Sequence, residues 1–245
     1  MAESDANREP AADAARYQAL LEQEKLAALA EFAAGAGHEI NNPLAVIVGR
    51  AQLLLRGETH PDRRRDLATI AQQALRVHEM IADLMLFARP PQPKLVVQTL
   101  LPLVNKVVQE LQPRAALQEI SLACESTADG LSAAVDGIQI EVAVRAVIAN
   151  AIEAASDGGK IQVTLAPTTL DEQPAIGITI QDNGPGIPAE IRRHLFDPFF
   201  SGRQAGRGLG LGLAKCWRIV TQHGGKIEVE SEPDQGTVVR LLLKA

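Results

Sequence analysis

The feature that most constrains this chain is a three-four alternation of apolar residues that runs through its first third and turns back once. Residues 13–57 carry Leu26, Leu29, Ala33, Ala36, Ile40, Ile47, Ala51 and Leu54 on one stripe. Residues 62–88 carry Leu67, Ile70, Ala74, Val77, Ile81, Leu84 and Ala88 on another. Spacings of three and four place side chains on one face of a helix, so each run predicts a long amphipathic helix. Gly57-Glu58-Thr59-His60-Pro61 between them reads as a turn, and Pro90-Pro91 stops the second run. Two long helices on a short loop form an antiparallel hairpin. A single hairpin leaves part of each stripe uncovered, which predicts a homodimer closed as a four-helix bundle. A generic coiled-coil spacer would show the same periodicity.

After the hairpin the pattern changes. Helical periodicity returns at 100–111, 138–155 and 213–222. Strand-like runs fall at 119–123, 161–165, 175–181, 226–230 and 237–243. Interspersed helices and strands predict an α/β sandwich. The domain organisation expected is a disordered tail at 1–12, a helical hairpin at 13–89, a stiff Pro-rich linker at 90–94 and the sandwich at 95–245. There are 30 acidic against 24 basic side chains, a net charge of -6, so no basic excess suggests a nucleic-acid partner. No apolar run approaches the length of a membrane span. The two cysteines, Cys124 and Cys216, fit neither a disulfide framework nor a metal site. A cytoplasmic chain with no membrane segment is the expectation.

Four segments stand out chemically. His38 lies two residues from both Ala36 and Ile40, which turns it away from the apolar stripe and towards solvent. Gly35 and Gly37 precede it, and are expected to leave the surface beside the imidazole bare. Glu39 follows it, and Pro43 removes a helical hydrogen bond one turn later. An ordinary surface histidine is the bland alternative. Asp182-Asn183-Gly184-Pro185-Gly186-Ile187 follows a strand, so Asp182 sits at the strand end. Gly184 and Gly186 would then permit positive φ and close approach to a ligand. It is equally a plain Gly-Pro turn. Gly206, Gly208, Gly210 and Gly212 lead into a helix whose first N–H groups suit phosphate oxygens. The order of Gly, Lys and Ser/Thr matches neither a dinucleotide fingerprint nor a Walker loop. Asn150 lies on a mostly apolar helix and needs a partner, either a backbone tie or a hard cation such as Mg²⁺.

In this order, the segments resemble the transmitter core of a two-component sensor histidine kinase over about residues 25–245. His38-Glu39-Ile40-Asn41-Asn42-Pro43-Leu44 resembles the phosphoacceptor box, and Asn150-Ala151-Ile152-Glu153-Ala154 the asparagine box. Asp182–Ile187 resembles the first glycine box, Phe196-Asp197-Pro198-Phe199-Phe200 the phenylalanine box, and Gly208-Leu209-Gly210-Leu211-Gly212-Leu213 the second glycine box. The resemblance implies a dimerising phosphotransfer hairpin followed by a Bergerat-type ATP-binding sandwich, with ATP and Mg²⁺ as cofactors. It implies that Asp182 accepts the adenine amino group, that Gly184 and Gly186 shape the pocket, and that Asn150 ligates Mg²⁺. Gly208, Gly210 and Gly212 would cover the phosphates. The Nε2 atom of His38 would attack the γ-phosphoryl group with Glu39 as base, and a response regulator receiver domain would collect the phosphoryl group. Glu39 and Asn42 would also position water in a phosphatase reaction. The second asparagine that the family commonly carries is here Ala146. A phosphatase-dominant regulator and a catalytically inactive scaffold with the same fold are the alternatives.

Overall fold

The computed structural model describes residues 8–200 and 210–245. They divide into two compact units, Met1–Pro90 and Pro91–Ala245.

The first unit is a hairpin of α1 (Arg8–Gly57) and α2 (Pro61–Ala88). Residues 8–12, expected to be part of a disordered tail, belong to α1. The helix also runs unbroken through Pro43. Three bonds close the turn. The Arg64 guanidinium donates to the carbonyls of Leu55 and Glu58 at 3.0 and 2.8 Å, which satisfies acceptors that the end of α1 leaves open. The Glu58 carboxylate accepts the amide of His60 at 2.8 Å. Pro61 begins α2 where its missing N–H costs nothing. Small Ala51, Ala71 and Ala74 are buried within the hairpin, and towards the end of α2 Leu84, Phe87 and Ala88 are buried as well. Four larger members of the stripes, Ile47, Leu54, Ile70 and Val77, are exposed on the single chain. Among the described residues, no helix is long and apolar enough to cross a membrane.

The second unit is a two-layer α/β sandwich. Strand β1 (Val96–Thr99) leads into α3 (Leu100–Ala116), β2 (Ser121–Ser126), β3 (Ser132–Val135) and α4 (Gly137–Ala154). After these come β4 (Lys160–Leu170), β5 (Gln173–Asp182), the single turn α5 (Ala189–Arg192), α6 (Gly212–Gln222), β6 (Lys226–Ser231) and β7 (Thr237–Lys244). Five strands form a sheet in the order β2-β4-β5-β7-β6, antiparallel except for the parallel pair β2-β4. Strands β1 and β3 form a separate antiparallel pair.

Ile176, Ile178 and Ile180 all point into the core from β5. Ile148 and Ile152 of α4 and Ile219 of α6 are buried as well, each at most 1% exposed. Burying one such side chain is worth about 1.5–3 kcal/mol. The core therefore fixes β5 and α4 relative to each other, and these two elements carry Asp182 and Asn150.

Three local expectations are corrected. Helix α3 continues to Ala116 with Pro113 inside it. The strand expected from residue 119 starts at Ser121, since Glu119 adopts φ 56° in the connecting turn. Strands β1 and β3 were not expected at all. The Pro-rich stretch expected as a stiff linker at 90–94 is held at two points. The Pro91 carbonyl accepts from Gln139 Nε2 at 3.0 Å, and the Lys94 amide donates to Asp136 Oδ2 at 3.0 Å.

Candidate functional site

The candidate residues fall into two groups, one in each unit. In the hairpin, His38, Glu39 and Asn42 are exposed along one side of α1. His38 and Asn42 are four residues apart and so are neighbours on the helix surface. The expectation for Gly37 is corrected. Gly35 has open space around it, but Gly37 is buried against α2. A Cβ at Gly37 would lie 3.0 Å from Met85 Sδ and 3.4 Å from Ile81 Cγ2. The sequence carried that signal, because Gly37 stands four residues after Ala33 and three before Ile40, on the packing stripe itself. One turn further along, the Asn41 side-chain oxygen meets His78 Nδ1 of α2 at 2.9 Å.

In the sandwich, three elements separated in sequence converge. Asp182 ends β5 and is buried. Its Oδ1 accepts the Gly184 amide at 2.9 Å, and the Thr237 backbone also bonds the carboxylate. Burial is the larger influence and pushes the carboxyl above the ordinary aspartate range. Each carboxylate oxygen has two lone pairs, so acceptor capacity remains for a ligand amino group. Gly184 packs under the end of α4: a Cβ there would lie 2.9 Å from Asp182 Oδ1 and 3.4 Å from the Ala154 carbonyl. Asn150, one turn before Ala154 on α4, lies beside the first residue of α6. A Cβ on Gly212 would rest 3.7 Å from Asn150 Nδ2 and 3.8 Å from Oδ1.

The glycines thus have different reasons. Gly186 does adopt positive φ, at 70°, but its close neighbour is the Glu232 backbone and not a ligand cavity. Gly184 does not need positive φ; it needs the missing Cβ. Gly210 has φ 67°, and a side chain there would strike the backbone of Phe200. The two flanks of the glycine-rich loop are thereby held together. Gly208 lies outside the described residues. Ahead of this junction, His194 Nδ1 bonds Asp197 Oδ2 at 2.6 Å, and its ring packs on Phe200 with centroids 5.4 Å apart.

Sequence reasoning missed the supports. Ser231, buried at the end of β6, accepts the Ile187 amide at 2.8 Å and donates to the Gly236 carbonyl at 2.8 Å. Gly236, with φ 81°, lets β7 begin against the Asp182 backbone, which brings Thr237 to the carboxylate. The Gly236-Thr237 pair before an apolar run was a readable signal. Asn183 Oδ1 accepts the Lys160 amide at 2.7 Å and locks the start of β4.

Near Asn150 the charges are already matched. Arg114 pairs with Glu153 at 2.6 Å, and Arg145 pairs with Glu110. The amide oxygen of Asn150 is a hard donor of the kind Mg²⁺ takes, and Ala146, one turn earlier, adds none. The backbone amides that open α6 suit phosphate oxygens. Taken together, a buried carboxylate, an amide oxygen and a side-chain-free helix start suit a purine nucleotide with its cation. Neither thiol competes for a role: burial pushes Cys216 up to about 12 and raises Cys124 as well.

Comparison with known proteins agrees with this division. Residues 28–93 match the His Kinase A (phospho-acceptor) domain. Residues 135–245 match the histidine kinase-, DNA gyrase B- and HSP90-like ATPase. The signal transduction histidine-protein kinase AtoS of Escherichia coli (strain K12) is 30% identical over 224 residues. That alignment takes in 91% of this chain and 36% of AtoS, so the chain spans about a third of that relative's length. Full-length ShkA in complex with AMPPNP superposes with a TM-score of 0.75 at 22% identity, covering 88% of this chain and 46% of that one. The histidine kinase ThkA in complex with the response regulator protein TrrA superposes at 0.64 with 24% identity, covering 94% and 66%. A phospho-acceptor hairpin followed by an ATPase sandwich places this chain in the histidine kinase family, as the transmitter core of a two-component sensor kinase.

Proposed function

We propose that the chain phosphorylates itself on His38 from ATP and passes the phosphoryl group to an aspartate of a response regulator receiver domain. The observation that carries this reading is the pairing of functions in one chain. An exposed His38 is flanked by Glu39 and Asn42, and a separate unit joins Asp182, Gly184, Asn150 and Gly212 around a site suited to a purine nucleotide.

Asp182 binds the adenine amino group and discriminates against bases that lack one. Asn150 would hold Mg²⁺ through its amide oxygen, and the ion would supply neutralisation of phosphate charge. Gly210 and Gly212, with Gly208, let the backbone approach the phosphates. An imidazole is nucleophilic and largely uncharged near pH 7. The Nε2 lone pair of His38 attacks the γ-phosphorus, and the bond to the bridging oxygen breaks, releasing ADP with that electron pair. Glu39 takes the proton from Nδ1. In the second step a receiver carboxylate attacks phosphorus, the P–N bond breaks, and the imidazole recovers its proton. Positioning and charge neutralisation carry most of the acceleration in such transfers.

The working form is a homodimer in the cytoplasm. Its support is the exposed aliphatic side of the hairpin: Ile47, Leu54, Ile70 and Val77. A second hairpin of the same kind is complementary to it.

The test is Mg²⁺-dependent labelling by γ-labelled ATP. The expected label is acid-labile and base-stable. It disappears in His38→Gln while calorimetry shows ATP binding unchanged. Full labelling of His38→Gln would reject His38 as the acceptor. His60, His78, His194 and His223 are internal controls.

A further inference from the structure

Of the polar residues within one turn of His38, Asn41 is the one that a second helix holds among the described residues. Glu39 and Asn42 are exposed, whereas Asn41 is half-buried and its Oδ1 meets His78 Nδ1 at 2.9 Å across the hairpin. The Asn41 oxygen faces the ring, so the bond forms when Nδ1 carries the proton and donates. In that state the tie holds the amide with its oxygen towards α2. The acceptor is spent on His78, and the two N–H donors of Nδ2 face away from it.

Asn41 stands three residues after His38, so their Cβ atoms are neighbours about 5–6 Å apart on the helix surface. Buried contact of Gly37 with Met85 and Ile81 on the preceding turn keeps α1 and α2 in register at this level. A donor held in advance, one residue pair from a nucleophile that acquires an anionic group, is the arrangement that stabilises developing charge without reorganisation.

We propose that Asn41 donates its amide N–H to the phosphoryl group as it is bonded to His38, and that His78 is the positioning residue that aims it. This rests on His38 being the phosphoacceptor. Asn41 would then act in both directions of transfer, on the group arriving from ATP and on the group leaving for the receiver.

The first variant is Asn41→Asp in the full chain. It keeps an oxygen for His78 and nearly the same shape, but replaces the donor end with a carboxylate oxygen. If the amide serves the phosphoryl group, kcat for autophosphorylation falls about tenfold or more. The new charge by itself repels phosphate, so a purely structural amide is told apart by His78→Ala, which changes no charge at position 41 and would then keep parental kcat. In Asn41→Asp the KM for ATP and the thermal midpoint stay at the parental values. His78→Ala frees the amide to turn and is expected to cost about threefold in kcat. His78→Gln, which still has a donor for Asn41, recovers it. Phosphate is mapped to its histidine in every variant. Parental kcat with phosphate on His38 in Asn41→Asp or in His78→Ala, or no recovery in His78→Gln, would overturn the proposal and leave the kinase reading intact. Phosphate on a different histidine in the parent chain would overturn both.

Discussion

Asp182 takes two backbone hydrogen bonds at the end of β5 and is otherwise withdrawn from water, so its negative charge is a cost to the fold. The sign follows from the raised carboxyl. The folded chain holds that proton more tightly than the unfolded chain does. Its contribution to stability is therefore largest below the ordinary aspartate range, and is lost as pH rises through the raised value. Asp182→Asn removes the buried charge and keeps an acceptor oxygen. At neutral pH we expect its thermal midpoint to rise, while calorimetry finds ATP binding weaker by roughly tenfold to more than a hundredfold, the equivalent of one charge-assisted hydrogen bond. A variant that binds ATP normally and melts lower would make Asp182 a structural residue. The glycines give a matching contrast. Gly186→Ala must adopt φ 70° against the Glu232 backbone, so it should destabilise by at least the roughly 1–2 kcal/mol of a left-handed non-glycine residue. Gly212→Ala meets only ordinary contacts with Asn150. It should melt like the parent but bind ATP more weakly, because its methyl group stands where phosphate would approach.

Helix α1 and strand β5 show what could be read from sequence at the level of elements. The apolar stripes gave both long helices and the turn, because a three-four period survives without knowledge of tertiary partners. They did not say which members face the sister helix. Small Ala51, Ala71, Ala74 and Gly37 take the close seam, and Ile47, Leu54, Ile70 and Val77 are left outside it. Leu84 and Phe87 are buried too, towards the end of α2, and the period does not tell such positions from the exposed ones. The outer set predicts the dimer face. Ile70 is 49% exposed on the single chain, so Ile70→Glu should leave the hairpin folded. In a dimer the same carboxylate would be buried without a partner, at a cost of several kcal/mol. Light scattering should give twice the 26.2 kDa chain mass for the parent and the chain mass for the variant, with helicity kept. A monomeric parent would end the dimer argument. In the sandwich, β5 was legible because its isoleucines alternate over a long run. Strands β1 and β3 were not: each has four residues, and Val96 and Val97 remain exposed although they pair with β3. The candidate residues were legible by chemical type at strand and helix ends. The support from Ser231 was not, because its hydroxyl becomes meaningful only once the sheet brings it to the first glycine box.

At the scale of the whole molecule, the junction between the units is more ordered on its second side than a Pro-rich stretch suggests. Asp136 caps α4 through the Gln139 amide and accepts the Lys94 amide, while its own N–H donates to His223 at the end of α6. Its carboxyl is held below the usual range, first by the Lys94 amide. The stability this supplies is present above the ordinary aspartate range and is lost as pH falls through the depressed value. Asp136→Ala should therefore speed hydrogen exchange at the Lys94 amide at pH 7, and the difference from the parent should vanish in strong acid. Unchanged exchange at pH 7 would mean that the strap does not hold the chain there. The proposed reaction is a transfer from a nucleotide held by one unit to an imidazole carried by the other, and the bond it would form can be observed directly. Phosphorus NMR of the full chain with ATP and Mg²⁺ should show a phosphoramidate resonance of the Nε2-linked type, assigned to His38 by its loss in His38→Gln. A spectrum with no phosphoramidate after ATP is consumed, or one that survives intact in His38→Gln, would contradict phosphoryl transfer to His38.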